Sequence, residues 1–134
     1  MSFLIDTNVA IYLRDGSPSI IARLDRLSAR PAISILTQIE LEGGVYKRPE
    51  LTERRRAAVD RMLASIKVHD FNAAAASAYR DILAAQGYAR SRVTDRMIGA
   101  TAIVHGLTLI TINGADFRDI PGLSLEIWPN PAAQ

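Results

Sequence analysis

Short apolar runs alternate along the chain with longer stretches in which apolar residues recur every three or four positions. The short runs, which have the length of buried strands, are residues 2–5, 32–36, 107–111 and 123–128, and the more polar residues 67–70 are a candidate for a further short strand. The longer stretches, which have helical periodicity, are residues 8–14, 18–31, 37–47, 50–66, 73–86 and 95–105. Strands that alternate with helices are typical of an α/β fold with parallel strands. The pattern therefore predicts an α/β domain with a mostly parallel sheet.

Residues with strong preferences for helix ends mark several of these boundaries. Asn72 is predicted to be the N-cap of the alanine-rich helix, and Gly87 follows its last turn. Thr94 and Gly106 bracket the next helix in the same way. The two helices are therefore expected to be separate elements joined by a short loop.

Length and composition are those of an ordinary globular protein. We expect one domain over residues 1–134, with a flexible tail at 129–134. The absence of cysteine excludes disulfides, thiolate metal sites and a cysteine nucleophile. The amino terminus lacks the basic segment of a signal peptide, and no apolar stretch reaches the roughly 20 residues of a membrane span. A cytoplasmic protein without a membrane partner is the expectation.

Four carboxylates stand close to the ends of different apolar segments. Three follow a predicted strand and one lies in the first turn of a helix; they are Asp6, Glu40, Asp116 and, on the helix, Asp95. In open α/β sheets, binding sites lie outside the carboxyl ends of the strands. We therefore expect acids from distant parts of the chain to converge at one edge of the sheet.

Carboxylates gathered in this way call for a compensating positive charge. Two of them about 5 Å apart repel by roughly 3 kcal/mol at an effective dielectric constant near 20. Without a cation, one of them would take up a proton instead. Mg²⁺ and Mn²⁺ prefer oxygen ligands and neutralise charge on a phosphate that is being cleaved. The four acids therefore predict a metal-dependent enzyme.

Two of the acids also have a structural interpretation based on backbone capping. Asp6 would bond nearby backbone amides in an Asx-turn. The polar sequence Asp6-Thr7-Asn8 directly after a buried strand favours a functional role over that one. Glu40 would complete a capping box in which Thr37 is the N-cap, and this role does not exclude a role in metal binding.

The other two acids have alternatives of a different kind. Asp95 would only complement a helix dipole, but Gly99 and Ala102 on the same helix face favour close packing that holds Asp95 over the strand ends. Asp116 would cap a short turn, and Asp119 is a neighbouring competitor for its role.

The basic residues are nearly all arginine, although the net charge is only +2. Several are clustered, namely Lys47, Arg48, Arg54, Arg55, Arg56 and Arg61, and then Arg90, Arg92 and Arg96. The planar guanidinium group suits phosphate better than an ammonium group does. The clusters therefore favour a phosphate-rich ligand, and a solvated helix face explains them equally well.

Four segments together resemble the PIN-domain family, and in particular the VapC-type toxins of bacterial type II toxin–antitoxin systems. The segments are residues 4–9 (LIDTNV), 34–44 (SILTQIELEGG), 94–102 (TDRMIGATA) and 109–117 (LITINGADF). The likeness covers essentially the whole chain in the expected order. One departure is mild: the chain has Gly99-Ala100 where the family usually has two alanines.

The resemblance implies a three-layer α/β/α domain and a ribonuclease that depends on Mg²⁺, with Mn²⁺ as a substitute. It implies that the acidic quartet of the family is Asp6, Glu40, Asp95 and Asp116. It also implies supporting polar residues that orient those acids; these are Thr111 and Asn113, beside Thr7 and Asn8. The partners it implies are an RNA substrate, a VapB-type antitoxin and a second copy of the chain in a homodimer.

Two other functions remain open from the sequence. One is a PIN-like scaffold that binds RNA or a partner without cutting, and it would bind RNA equally well without metal. The other is a metal-dependent phosphohydrolase of small molecules, for which an aspartate two residues after Asp6 is usual. Asn8 occupies that position and makes the second alternative the weakest.

Overall fold

Five short strands lie at the centre of the molecule, and helices connect them in the order that the sequence pattern predicts. A computed structural model describes residues 1–133 of the chain. The strands are β1 (Phe3–Ile5), β2 (Ile33–Ser34), β3 (Val68–His69), β4 (Thr108–Thr111) and β5 (Leu125–Ile127). The α-helices are α1 (Thr7–Arg14), α2 (Pro18–Asp25), α3 (Ile35–Lys47), α4 (Thr52–Ser65), α5 (Ala73–Gln86) and α6 (Val93–Val104).

All strand pairs in the described residues are parallel. β1 pairs with β4 and β4 with β5, while β2 pairs with β3. A parallel bridge between Leu4 and Ala32 joins the two groups, with a hydrogen bond of 3.0 Å from the Ile5 amide to the Ala32 carbonyl. The spatial order is therefore β3–β2–β1–β4–β5, and the prediction of a mostly parallel sheet is confirmed.

The helices cover both faces of this sheet. Successive strand residues point to opposite sides, so each strand contributes to the core on both faces. Phe3 and Ile5 of β1 join a core formed with α1 to α4. Leu4 between them joins a second core formed with α5 and α6, which includes Ile82 and Ile98. Two apolar cores separated by one sheet make a three-layer α/β/α architecture, as the resemblance implied.

The second strand is shorter than predicted, because the chain enters α3 earlier. The run at 32–36 forms a strand only at Ile33–Ser34. The Ser34 side chain accepts a hydrogen bond of 3.1 Å from the Leu36 amide and caps α3 at that point. The predicted helix start at Thr37 was therefore wrong by two residues.

The later helix boundaries are partly as predicted. Asn72 caps α5 by accepting from the Ala75 amide at 3.0 Å, and Gly87 follows the helix with a φ of 77° that suits glycine. Thr94, predicted as an N-cap, lies inside α6, which follows a short 3₁₀ helix at Arg90–Arg92. Because the chain enters α6 directly from that 3₁₀ helix, α6 begins at Val93, one residue before Thr94.

Three further segments complete the description. Helix α2 ends at Asp25 rather than near residue 31. In the predicted tail, Pro131–Ala133 form a 3₁₀ helix, and Gln134 lies outside the described residues. Among residues 1–133, no helix combines the length and the apolar character that a membrane crossing requires. The extent of the domain over residues 1–134 stays a prediction.

Candidate active site

The fold brings the four predicted acids towards one edge of the sheet. Asp6 is the first residue after β1, and Glu40 lies in the second turn of α3, which begins where β2 ends. Asp116 belongs to a 3₁₀ helix, Gly114–Asp116, that follows β4. Asp95 lies in the first turn of α6. Three of the acids therefore owe their position to the carboxyl ends of parallel strands.

Asp6 is the most deeply buried of the four and is held on both carboxylate oxygens. Its Oδ1 accepts from the Val9 amide at 3.0 Å, which makes Asp6 the N-cap of α1. Its Oδ2 accepts from the Thr111 hydroxyl at 2.6 Å. The Asp6 side chain thus makes the Asx-type contact with the backbone and also has its carboxylate held in a fixed orientation. Burial raises the pKa of Asp6 to about 6, against the opposing effect of these hydrogen bonds.

The Thr111 hydroxyl is itself fixed by a second contact. It accepts from the backbone amide of Asn113 at 2.9 Å while it donates to Asp6. The contribution of Asn113 therefore comes through its backbone in this arrangement. The two predicted supporting residues form a short chain of hydrogen bonds that ends on the Asp6 carboxylate.

Glu40 is held by a threonine from another helix rather than by a capping box. The Thr7 hydroxyl donates to Oε1 of Glu40 at 2.6 Å and lies 3.0 Å from the Thr37 hydroxyl. Since Ser34 is the N-cap of α3, the alternative interpretation of Thr37 and Glu40 as a capping box is excluded. The Glu40 side chain is exposed and is aimed by α1, which begins at Thr7.

Asp95 and Asp116 complete the acidic group. Burial raises the pKa of Asp95 to about 6, and repulsion from Asp116, Asp6 and Glu40 adds to that shift. Gly99, one turn after Asp95, packs so closely on the loop before β5 that an added Cβ would lie 2.8 Å from Cδ1 of Ile120 and 3.8 Å from Cδ2 of Leu123. The small residues on this face thus let α6 approach that loop, rather than the strands themselves.

The structure also separates Asp116 from its neighbour Asp119. The Asp119 carboxylate accepts from the buried guanidinium of Arg96 at 3.3 Å. Within residues 1–133, none of the four acids forms an ion pair of this kind with a basic side chain. Asp119 therefore stabilises the fold, and Asp116 is the acid that faces the other three.

The oxygen-rich acidic group suits a hard divalent cation, because carboxylates are the ligands that Mg²⁺ and Mn²⁺ prefer. Burial is the main cause of the raised pKa of Asp6 and Asp95, and the mutual repulsion of the acids, which adds to it, is the kind that a cation would relieve. In the described part of the chain, no three acidic or histidine side chains form a ready-made metal-binding group. Repulsion between the carboxylates opposes a closer approach. Their oxygen atoms are of the type that the cation prefers, and they lie near one another without forming a complete coordination sphere.

A cleft of about 590 Å³ runs beside the acids between α1 and α3. Its acidic lining includes Glu40 and Asp95, and Asn8 lies on the same surface. Its basic lining residues are Arg14, Lys47, Arg48 and Arg55. Arg14 was not among the residues predicted from the sequence, although Thr7, Ile11 and Arg14 have the spacing of one helix face.

Not all of the clustered arginines face this cleft. Arg56 binds Glu42 of α3 at 2.6 Å and Asp60 of α4 at 2.7 Å. Its guanidinium group is therefore engaged in ion pairs between these two helices. Arg96 donates to the Gly87 carbonyl at 2.6 Å in addition to its contact with Asp119. These two arginines stabilise the fold, so only part of each cluster is available to a phosphate.

Known proteins resemble this chain in sequence and in fold. The family model described as PIN domain matches residues 3–123. The chain belongs to the PIN domain family. It is 33% identical to the tRNA(fMet)-specific endonuclease VapC of Shigella flexneri, over 96% of this chain and 98% of that protein. It is 31% identical to ribonuclease VapC2 of Rickettsia felis, again over 96% of this chain and 98% of that protein.

Solved structures with the same PIN fold include toxin–antitoxin complexes. The structure of VapBC2 from Rickettsia felis bound to a DNA fragment from the VapBC2 promoter superposes on this chain with a TM-score of 0.83 at 29% sequence identity. It covers 96% of this chain and 99% of that one. The DNA-bound VapBC of Salmonella typhimurium gives a TM-score of 0.82 at 31% identity, over 96% and 98% of the two chains. The three-layer fold is therefore that of the PIN domain.

Proposed function

We propose that this PIN domain is a divalent-cation-dependent endoribonuclease, and that it acts as the toxin of a type II toxin–antitoxin pair. The observation that carries the proposal is the group of four acids at the strand ends. Two of them have a pKa raised to about 6, and in the described residues none forms an ion pair with a basic side chain. The ribonuclease names of the VapC relatives support the choice of RNA.

Asp6 and Asp95 are proposed as the main ligands of the cation, and Glu40 and Asp116 complete the site directly or through water. When bound, the cation offsets negative charge on the phosphodiester that is cut. Asp6 is held for this role by Val9 and Thr111, and Glu40 by Thr7. A carboxylate of the group accepts a proton from the attacking water, whose oxygen bonds to phosphorus as the bond to the leaving oxygen breaks.

The biological partners follow from the relatives. The Rickettsia and Salmonella proteins are VapBC complexes, so we propose a VapB-type antitoxin for this chain. Initiator tRNA is the first substrate to assay, because the Shigella relative carries that specificity in its name. We also propose that the chain forms a homodimer and acts in the cytoplasm. Light scattering of the purified chain tests the homodimer directly.

The test of activity compares RNA cleavage with Mn²⁺, with Mg²⁺ and with EDTA. Asp95→Asn is expected to lower the cleavage rate by at least a hundredfold, the typical cost of losing a group that supports charge in the transition state. Activity that survives EDTA, or an Asp95→Asn variant as active as the parent, contradicts the proposal. Equal RNA binding with and without metal and no cut product would instead indicate a binding scaffold.

A matched pair of aspartates controls for general loss of charge. Asp116→Asn is expected to lower cleavage strongly, whereas Asp119→Asn is expected to retain it per folded molecule because Asp119 serves Arg96. Thermal unfolding of both variants separates activity from stability. Equal activity losses in the two folded variants would argue against the assignment of Asp116.

A further inference from the structure

Two guanidinium groups converge on one helical glycine in the cleft beside the acids. Nη1 of Arg55 donates to the Gly44 carbonyl at 2.8 Å. Nη1 of Arg14 lies 3.0 Å from the position that a Cβ on Gly44 would occupy. Helices α1, α3 and α4 thus contribute Arg14, Gly44 and Arg55 to one small region. A Cβ at this position would displace the Arg14 guanidinium by a few tenths of an ångström, so glycine leaves the most room for both arginines.

The charges in this region are incompletely balanced. Arg14 binds Asp15 through Nε at 2.9 Å and Nη2 at 3.2 Å, and its side chain is only 5% exposed. Arg55 forms no ion pair within residues 1–133, and its buried Nε has no hydrogen-bond partner there. Only one of these two nearby cations is paired with a carboxylate, so the region attracts an anion. The unpaired buried donor of Arg55 adds to this, because a buried donor without an acceptor is costly.

We propose that Arg14 and Arg55 form a phosphate-binding subsite that holds an RNA phosphodiester next to the one that is cut. The inference rests on the proposed ribonuclease function, and it adds the residues that position the substrate. Both arginines line the cleft that also contains Glu40 and Asp95.

The distance along α1 explains why the subsite takes a neighbouring phosphate. Thr7, which holds Glu40, and Arg14 are seven residues apart on the helix, or roughly 10 Å at 1.5 Å per residue. The cleft therefore runs from the acids at the start of α1 to the guanidinium groups at its end. A polyanion with regularly spaced phosphates matches that arrangement, and the bidentate guanidinium fork matches each phosphate.

The first test measures binding of a short single-stranded RNA in EDTA, by fluorescence anisotropy at several salt concentrations. Arg14→Gln and Arg55→Gln are each expected to weaken binding about tenfold, the usual scale for a charged hydrogen bond. Each is also expected to reduce the slope of log K against log salt by about 0.7. Arg80→Gln is the control, since Arg80 is exposed on α5 and lines neither the acidic cleft nor the adjoining pocket that Arg14, Arg54 and Arg55 share.

A second pair of variants changes the geometry without changing the charge. Gly44→Ala places a methyl group against Nη1 of Arg14, whereas a Cβ at Gly43 meets no atom within 4 Å. Gly44→Ala is expected to weaken RNA binding a few-fold, and Gly43→Ala to leave it unchanged. Since both changes favour the helix equally, this comparison remains decisive if an arginine variant fails to fold.

The outcomes separate this inference from the proposed function. RNA cleavage by the parent together with unchanged RNA binding by Arg14→Gln and Arg55→Gln overturns the subsite alone. No cleavage under any metal, together with RNA binding that depends on these arginines, overturns the nuclease and leaves the subsite. Equal losses in Arg80→Gln and Arg55→Gln indicate charge attraction without a site and overturn the proposal. Weakened antitoxin binding with unchanged RNA binding assigns the pocket to protein and also overturns the proposal.

Discussion

At the scale of single residues, Asp6 combines a structural and a proposed catalytic role in one carboxylate. It caps α1 through Val9 and receives the Thr111 hydroxyl, yet it is almost completely buried beside other acids. The sequence Asp6-Thr7-Asn8 suggested its importance. The partner Thr111 is more than a hundred positions away, so the contact depends on the pairing of β1 with β4.

The first prediction concerns the Thr111 hydroxyl. Thr111→Val is expected to lower the free energy of unfolding by about 1.5–3 kcal/mol, because a hydrogen bond to a charged, buried acceptor is lost. It is also expected to move the pH midpoint of cleavage upward, since this hydrogen bond lowers the pKa of Asp6. Denaturant unfolding and a pH–rate profile measure the two effects.

Thr108 offers the control for that substitution. Its hydroxyl lies on the same strand, in an exposed contact of 3.1 Å with Ser124. Thr108→Val is expected to change stability by less than about 0.5 kcal/mol. A Thr111→Val variant with the same stability and pH profile as Thr108→Val would contradict the role assigned to the buried hydroxyl.

The second prediction concerns the pH dependence of stability without metal. The folded pKa of Asp6 is about 6 and the ordinary value is 3.8, so the folded state binds more protons between these values. The contribution of Asp6 to stability should therefore fall as pH rises from about 4 to about 6 and then level off, by an amount on the order of 2–3 kcal/mol. Asp95, whose pKa is also raised to about 6, adds to the fall in the same range. Asp6→Asn should therefore reduce the slope without abolishing it and stabilise the fold near pH 7.

Urea unfolding in EDTA at several pH values measures that slope. Glu42→Gln is the control, because the hydrogen bond from Arg56 lowers the pKa of Glu42 from its ordinary value of 4.5, so Glu42 adds little to the slope above about pH 5. Its slope between about pH 5 and 6.5 should equal that of the parent. An Asp6→Asn variant with an undiminished slope would contradict the burial of an ionisable Asp6.

At the scale of elements, the order of strands and helices could be read from apolar periodicity, and the exact helix starts could not. The pattern at 32–36 is that of a strand, but Ser34 caps α3 and ends the strand there. The capping box of Thr37 and Glu40 fitted the local sequence. The competing contact, the hydroxyl of Thr7 on another helix, is visible only once α1 and α3 are packed together.

The third prediction concerns the packing of α6. A Cβ on Gly99 would lie 2.8 Å from Cδ1 of the buried Ile120. Gly99→Ala is therefore expected to destabilise the protein by about 1–2 kcal/mol, because overpacking exceeds the gain in helix propensity. Gly43→Ala, which meets open space, is expected to stabilise by up to about 1 kcal/mol. Thermal unfolding compares the two, and a stabilised Gly99→Ala would contradict the close approach of α6 to the loop.

At the scale of the whole molecule, the proposed site belongs to no single element. Asp6 follows β1, Glu40 lies on α3, Asp95 on α6 and Asp116 beyond β4. The convergence of these acids was predictable, because parallel strands end at one edge. The cleft between α1 and α3 was not, since its basic wall combines Arg14 with Arg55 from two different helices.

Because four elements share the acidic group, cation binding should stabilise the entire fold. A cation that binds only the folded state adds about 2.7 kcal/mol at a hundredfold excess over its Kd. For a chain of 134 residues this corresponds to a rise in Tm of roughly 10 °C. Mn²⁺ should therefore raise the Tm of the parent and have little effect on Asp95→Asn, as measured by differential scanning calorimetry.

The same measurement at two pH values tests the link between cation and protons. Asp6 and Asp95 each have a pKa near 6, so at about pH 5 protons compete with the cation for both carboxylates. The rise in Tm with Mn²⁺ should be large near pH 7.5 and nearly absent near pH 5, whereas Asp119→Asn should behave as the parent does. An equal rise at both pH values, or one that persists in Asp95→Asn, would place the cation on other groups.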